Sequence, residues 1–130
     1  MSDDFTRGIE ARNRMFGEDR TKHAFANPDP MHHAFQTLVT GYCFGALWGS
    51  DGAPWRDRSL MTMSMVAAQH RFAEFETHLR LAIRNGCDKE TIFELVRHVT
   101  VYCGVPSGFE AFRIMQKVYG ETKAAENPSS

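Results

Sequence analysis

Glu74 and His78 lie four residues apart in the segment EFETHLRLAIRNG, Glu74 to Gly86. On a helix that spacing puts both on one face. A carboxylate beside an imidazole raises its pKa and fixes its orientation, which suits a general acid/base pair. The same spacing also describes a partly exposed helix-surface ion pair worth roughly 0.2–0.5 kcal/mol. His70 extends the series, because His70, Glu74 and His78 would line one face of a continuous helix and could seat a divalent metal. The intervening stretch QHRFAEF reads instead as a junction between two helices, and no fourth ligand is at hand. No metal is therefore assigned.

A second group precedes it. In WRDRSL, Trp55 to Leu60, Arg56 and Arg58 fall in a first helical turn, where positive charge is locally unfavourable. Such arginines make sense if a carboxylate, from the protein or from a ligand, is held bidentately. A structural salt bridge with Asp57 or a neighbouring chain is the other reading. His32 and His33 are adjacent, so they point in different directions on a helix and form no chelate. One of them can reach a site, and His33 is taken as the substrate-facing one, against a plain surface loop. Tyr42 and Trp48 suit the wall of an apolar pocket, though aromatics so spaced also serve as core. His98, beside Arg97, reads as interfacial or structural.

The elements that must position these residues are helices. Apolar residues recur with a helical period in four segments: Pro54 to about Gln69, Phe72 to Arg84, Lys89 to Cys103, and Pro106 to Tyr119. RGIEARNRMFG and HAFQTLVTGYCFGALW supply two more. The second of these carries Gly41 and Gly45, which weaken a helix unless something packs close there. The breaks ANPDP, GSDGAP, RNGCD and CGVP carry glycine, proline and aspartate as helix termini require. No stretch alternates as a strand does. The expected fold is all-α, about six helices with short connections. The tail GETKAAENPSS is polar and is expected to fray after Gly120.

A length of 130 residues suits one domain, 1–130, with its core at about 9–121. A net charge of −1 gives no field favouring nucleic acid or an anionic membrane. No apolar run approaches the ~20 residues of a membrane helix, and the charged N-terminus lacks a signal-peptide core, so a cytoplasmic protein is expected. The three cysteines, Cys43, Cys87 and Cys103, are odd in number and form no C-x-x-C; they read as small reduced apolar residues. Apolar residues beyond a narrow stripe, as in LMTMSMVAA, point to a second buried face and hence an oligomer, or else to a thick central helix.

The stretch from Arg56 to Glu121, with R-S-L, H-L-R…N-G and V-Y-C-G-V-P…A-F-R, resembles the carboxymuconolactone decarboxylase family, within the alkyl-hydroperoxidase D-like superfamily. FQTLVTGYCFGALW upstream fits as well, so the likeness runs from about Ile9 to Glu121. The resemblance implies an all-helical subunit in a ring, a homotrimer or homohexamer, and bacterial catabolism of aromatic acids as in the β-ketoadipate route. It puts the family's histidine at His78 and its R-S-L arginine at Arg58. The peroxidase branch places a C-x-x-C ahead of the histidine; here Arg71 and Glu74 occupy those positions. Where its decarboxylases often read Thr-Glu-Tyr, this chain reads Thr40–Gly41–Tyr42, and the acidic residue often found near Ala46 is also missing.

The implied reaction is cofactor-independent decarboxylation of a carboxymuconolactone-type acid. Loss of CO2 leaves a dienolate; Arg58 anchors the substrate, His78 oriented by Glu74 moves the proton, and an apolar wall desolvates the departing carboxylate. The same groups would serve a cis-trans isomerase or tautomerase of a carboxylated oxo-dienoate from lignin-derived aromatics, with no carbon lost. A non-catalytic binding protein on the same fold is a third reading. The expected partner is a small carboxylated lactone or dienoate, without metal, nucleic acid or membrane.

Overall fold

The computed structural model describes residues 2–126. Seven α-helices and one π-helical segment account for its regular structure, with no strand among the described residues. The chain divides into two compact units, Met1–Pro54 and Trp55–Ser130.

The first unit begins with α1 (Ser2–Phe16) and α2 (Glu18–Phe25), separated by Gly17 at φ 94°. α2 carries Glu18 and Asp19 in its first turn and Lys22 and His23 in its last, the order that complements the helix dipole. The periodicity alone did not reveal this helix, because its eight residues are mostly polar. α3 (Pro30–Val39) starts with proline in its first turn and with Asp29 accepting a hydrogen bond from the Met31 amide at 3.0 Å. It runs on directly into a π-helix, Thr40–Trp48, which buries Thr40, Phe44, Gly45 and Trp48.

α1 packs along that π-helix at backbone distance. A Cβ at Gly45 would fall on the Asp4 carbonyl, and one at Gly8 on the Thr40 carbonyl. Gly45 therefore has the close neighbour that its position in a helix demands. Gly41 does not, since the nearest atom to its Cβ position is the Phe5 amide nitrogen at 4.0 Å.

The second unit holds α4 (Trp55–Ala68), α5 (Phe72–Arg84), α6 (Lys89–Tyr102) and α7 (Val105–Glu126). Their inward faces meet in one core containing Met63, Ala67, Phe75, Leu79, Ala82, Ile92, Val96, Val99, Ala111 and Met115. Asp88 caps α6 by accepting from the Thr91 amide at 2.7 Å. Gly86 and Gly104 take positive φ at the α5 and α6 ends, as their places in the sequence suggested. The expected fraying after Gly120 is not found, since α7 continues through Glu126. Ala124, Ala125 and Glu126 are good helix formers and carry the helix past that glycine. The remainder of the tail lies outside the described residues.

The three cysteines are free; Cys87 is buried and the others half-buried. No helix of the described residues is long and apolar enough to cross a membrane.

Candidate active site

Arg58, Glu74 and His78 all lie in the second unit, on α4 and α5, which pack against each other. Arg58 ends the first turn of α4 and is only 7% exposed. A guanidinium stays charged at any working pH, so its burial demands acceptors around it. Its neighbour Ser59 is fully buried and accepts from Asn85 Nδ2 at 2.9 Å, which ties the start of α4 to the end of α5. Arg56 behaves differently. It donates to Thr91 Oγ1 at 3.3 Å and lies 3.6 Å from Asp57, which fits the salt-bridge reading for Arg56.

On α5 the buried stripe is Phe75, Leu79 and Ala82. His78 sits at its edge, half-buried, and Glu74 one turn earlier is exposed. Burial lowers the His78 pKa below its ordinary value, and the Glu74 charge raises it less than burial lowers it. The carboxylate thus acts on the ring through charge, and the net effect disfavours the imidazolium.

His70 does not join a metal-binding face. It lies between α4 and α5 at φ 58°, which breaks the i, i+4, i+8 alignment, and its Nδ1 lies 3.0 Å from Ser107 Oγ at the start of α7. Among the described residues no group of three His, Cys, Asp or Glu side chains could hold a metal ion. His98 is exposed; its Nδ1 meets the Glu94 carbonyl at 2.8 Å and its ring stacks on Tyr102.

The other expected substrate-binding residues, His33, Tyr42 and Trp48, lie in the first unit. His33 is exposed with its ring against Phe25. Tyr42 is 77% exposed, and Trp48 is 3% exposed, within the unit's interior. Of the adjacent histidines it is His32 that lines a cavity, of about 680 Å³, together with Arg12, Phe16, Arg20, Gln36 and Phe44. His32 Nε2 lies 3.0 Å from the Ala24 carbonyl, which only accepts, so that nitrogen carries the hydrogen. Arg12 and Arg20 were not singled out from the sequence. The signal available was the spacing Arg12, Phe16, Arg20, two cations one turn either side of an aromatic, but Gly17 interrupts the helix that would have linked them.

The carboxymuconolactone decarboxylase family matches residues 33–117. The chain belongs to this family. Among its relatives is a nitrosuccinic acid decarboxylase of Metarhizium robertsii, 35% identical over 129 residues that cover 95% of this chain and 90% of that protein. Another is a 4-carboxymuconolactone decarboxylase of Acinetobacter baylyi, 29% identical over 115 residues that cover 88% of this chain and 86% of that one. The family match takes in Arg58, Glu74 and His78, and in the first unit the π-helix with Gly41. At Gly41 the backbone has room for a side chain, so packing does not impose the glycine.

Proposed function

We propose that the protein is a cofactor-independent decarboxylase, a carbon–carbon lyase acting on a small carboxylated acid of carboxymuconolactone type in bacterial aromatic-acid catabolism. Both named relatives are decarboxylases. The two compounds in their names share one chemical feature. Each bears the departing carboxyl where its electrons can pass onto oxygen, through the unsaturated lactone in one and through the nitro group in the other. Each also keeps a second carboxylate. An enzyme for such acids needs an anchor for that carboxylate, donors for the developing oxyanion, and one proton for carbon.

The observation that carries the proposal is the half-buried His78 on the helix packed against the one bearing buried Arg58. In the cycle proposed, Arg58 holds a carboxylate of the incoming dianion. The substrate's negative charge reverses the cost of charging the ring, and His78 takes up a proton as the substrate binds. CO2 leaves and its bonding pair passes into the conjugated acceptor. His78 then returns its proton to carbon and is neutral again. The balance is one carboxylate and one proton in, one CO2 and one C–H bond out. Glu74 supports the charged ring from one turn away.

The isomerase reading uses the same proton step without loss of carbon. Carboxylated lactones, nitro diacids and ring-opened dienoates should be screened with CO2 release and ultraviolet absorbance followed together. CO2 release that is lost in His78→Gln is the expected result. An absorbance change at constant mass would replace the decarboxylase by an isomerase, and no turnover would leave a binding protein.

We propose further that the chain is one carboxymuconolactone decarboxylase-like domain of a cytoplasmic homotrimer or homohexamer. Large apolar side chains are exposed on the helix formed by α3 and the π-helix, among them Met31, Phe35, Leu38 and Tyr42. Exposed apolar groups so arranged suit burial against another copy. Light scattering gives the subunit number.

A further inference from the structure

The cavity in the first unit is formed by α1, α2, α3 and the π-helix, and its volume of about 680 Å³ is that of a small-molecule site. Two guanidiniums face it. Arg12 lies over the Phe44 ring at 5.1 Å from its centroid, and Arg20 over Phe16 at 4.8 Å. The ring contact restrains each guanidinium without using its N–H donors. Arg12 is held further through a single nitrogen, Nη1, which donates to Gln36 Oε1 at 2.8 Å and to Thr40 Oγ1 at 3.0 Å. Among the described residues, no ion pair joins Arg12 or Arg20 to a carboxylate.

The two cations act on each other. The Arg12 pKa is lowered first by burial and next by Arg20. Like charges gathered around a hollow are stabilised by an anion that both can reach. Asp19 lines the same cavity, so its two arginines and one carboxylate place two positive charges and one negative in the lining. That balance matches a single carboxylate and disfavours a compact polyanion. Phe16 and Phe44, edge to face at 6.1 Å, supply an apolar floor for the body of such an acid.

We propose that this cavity binds the carboxylate of a small aromatic or dienoic acid, with Arg12 and Arg20 donating to its oxygens. The inference uses neither His78 nor Arg58 and holds whether or not the protein proves to be a decarboxylase.

Calorimetric titration of the full chain with benzoate and with sorbate tests it, with benzamide and inorganic phosphate as controls. Saturable binding of both acids at one site per chain is expected, with benzamide and phosphate weaker by about tenfold or more. Arg20 is exposed and held by a single ring contact, so Arg20→Gln should keep its melting temperature while weakening benzoate by about tenfold or more. Arg12→Gln gives a second reading, scored against its melting temperature because Arg12 also ties Gln36 and Thr40. No saturable binding at about 10 mM, or equal benzoate affinity in the wild type and Arg20→Gln, overturns the proposal. A kinetic arm separates two sources of the acid. If it is the enzyme's own substrate or product, Arg20→Gln raises KM in step with the loss of benzoate affinity. If it is a separate acid, KM is unmoved and benzoate does not compete.

Discussion

Glu74 and His78 stand one turn apart on α5, and the imidazole's protonation is governed more by its own burial than by the carboxylate. Burial lowers the ring's pKa, and the exposed Glu74 recovers part of the shift. With protonated His78 as the acid, kcat/KM should fall as pH rises through the free-enzyme pKa, which lies below the ordinary value near 6.5. The limb of kcat should lie at higher pH, because the bound anion favours the charged ring. Glu74→Gln removes the upward pull and should move the kcat/KM limb to lower pH. Profiles of both enzymes from acid to neutral pH decide it. A limb that stays in place would remove Glu74 from the site.

Arg58 and Arg56 sit two residues apart in α4 and differ in burial. Arg58→Lys keeps the charge and loses the planar fork, so kcat/KM should fall by about 10- to 100-fold, the worth of a charged hydrogen bond. Arg56→Lys alters a half-exposed contact with Thr91 and Asp57 and should change kcat/KM by less than about twofold. Equal losses in the two variants, at matched melting temperatures, would mean that Arg58 is not the anchor.

Much of this was legible in the sequence where local chemistry decides structure. The span of α5 matches its apolar stripe, and Asp88, Gly86 and Gly104 mark the termini they were read to mark. Four features were not legible. α2 is short and polar, and only its end charges betray it. The π-helix packs against α1 at Gly45 and Gly8, a contact between distant parts of the chain. The sign of the His78 shift depends on burial, which spacing does not report; from sequence only the neighbouring carboxylate was visible. The arginine cavity was missed for a related reason, since Arg12 and Phe44 meet only after folding.

Gly41 and Gly45 share one helix and should respond oppositely to the same change. Gly45→Ala drives a methyl group into the Asp4 carbonyl, so either α1 or the π-helix must shift. A destabilisation of about 1–3 kcal/mol or more is expected. Gly41→Ala meets nothing closer than 4.0 Å and should stabilise by about 0.4–1 kcal/mol through the unfolded chain. Urea unfolding of both variants measures the difference, and a neutral Gly45→Ala would mean that α1 does not rest on the π-helix.

His70 is the described non-glycine residue with positive φ, and its ring meets Ser107, itself 7% exposed, across the α4–α5 junction. The backbone there costs about 1–3 kcal/mol for a residue with a Cβ, so the ring contact must offset it. His70→Ala keeps the strain and loses the contact, and should destabilise by about 1–2 kcal/mol. His70→Gly loses the contact but relieves the strain, and should recover much of that loss. Neither should alter the pH dependence of kcat/KM, because the proton in the proposed cycle belongs to His78. A shifted pH limb in His70→Gly, at unchanged stability, would instead place His70 in the proton path.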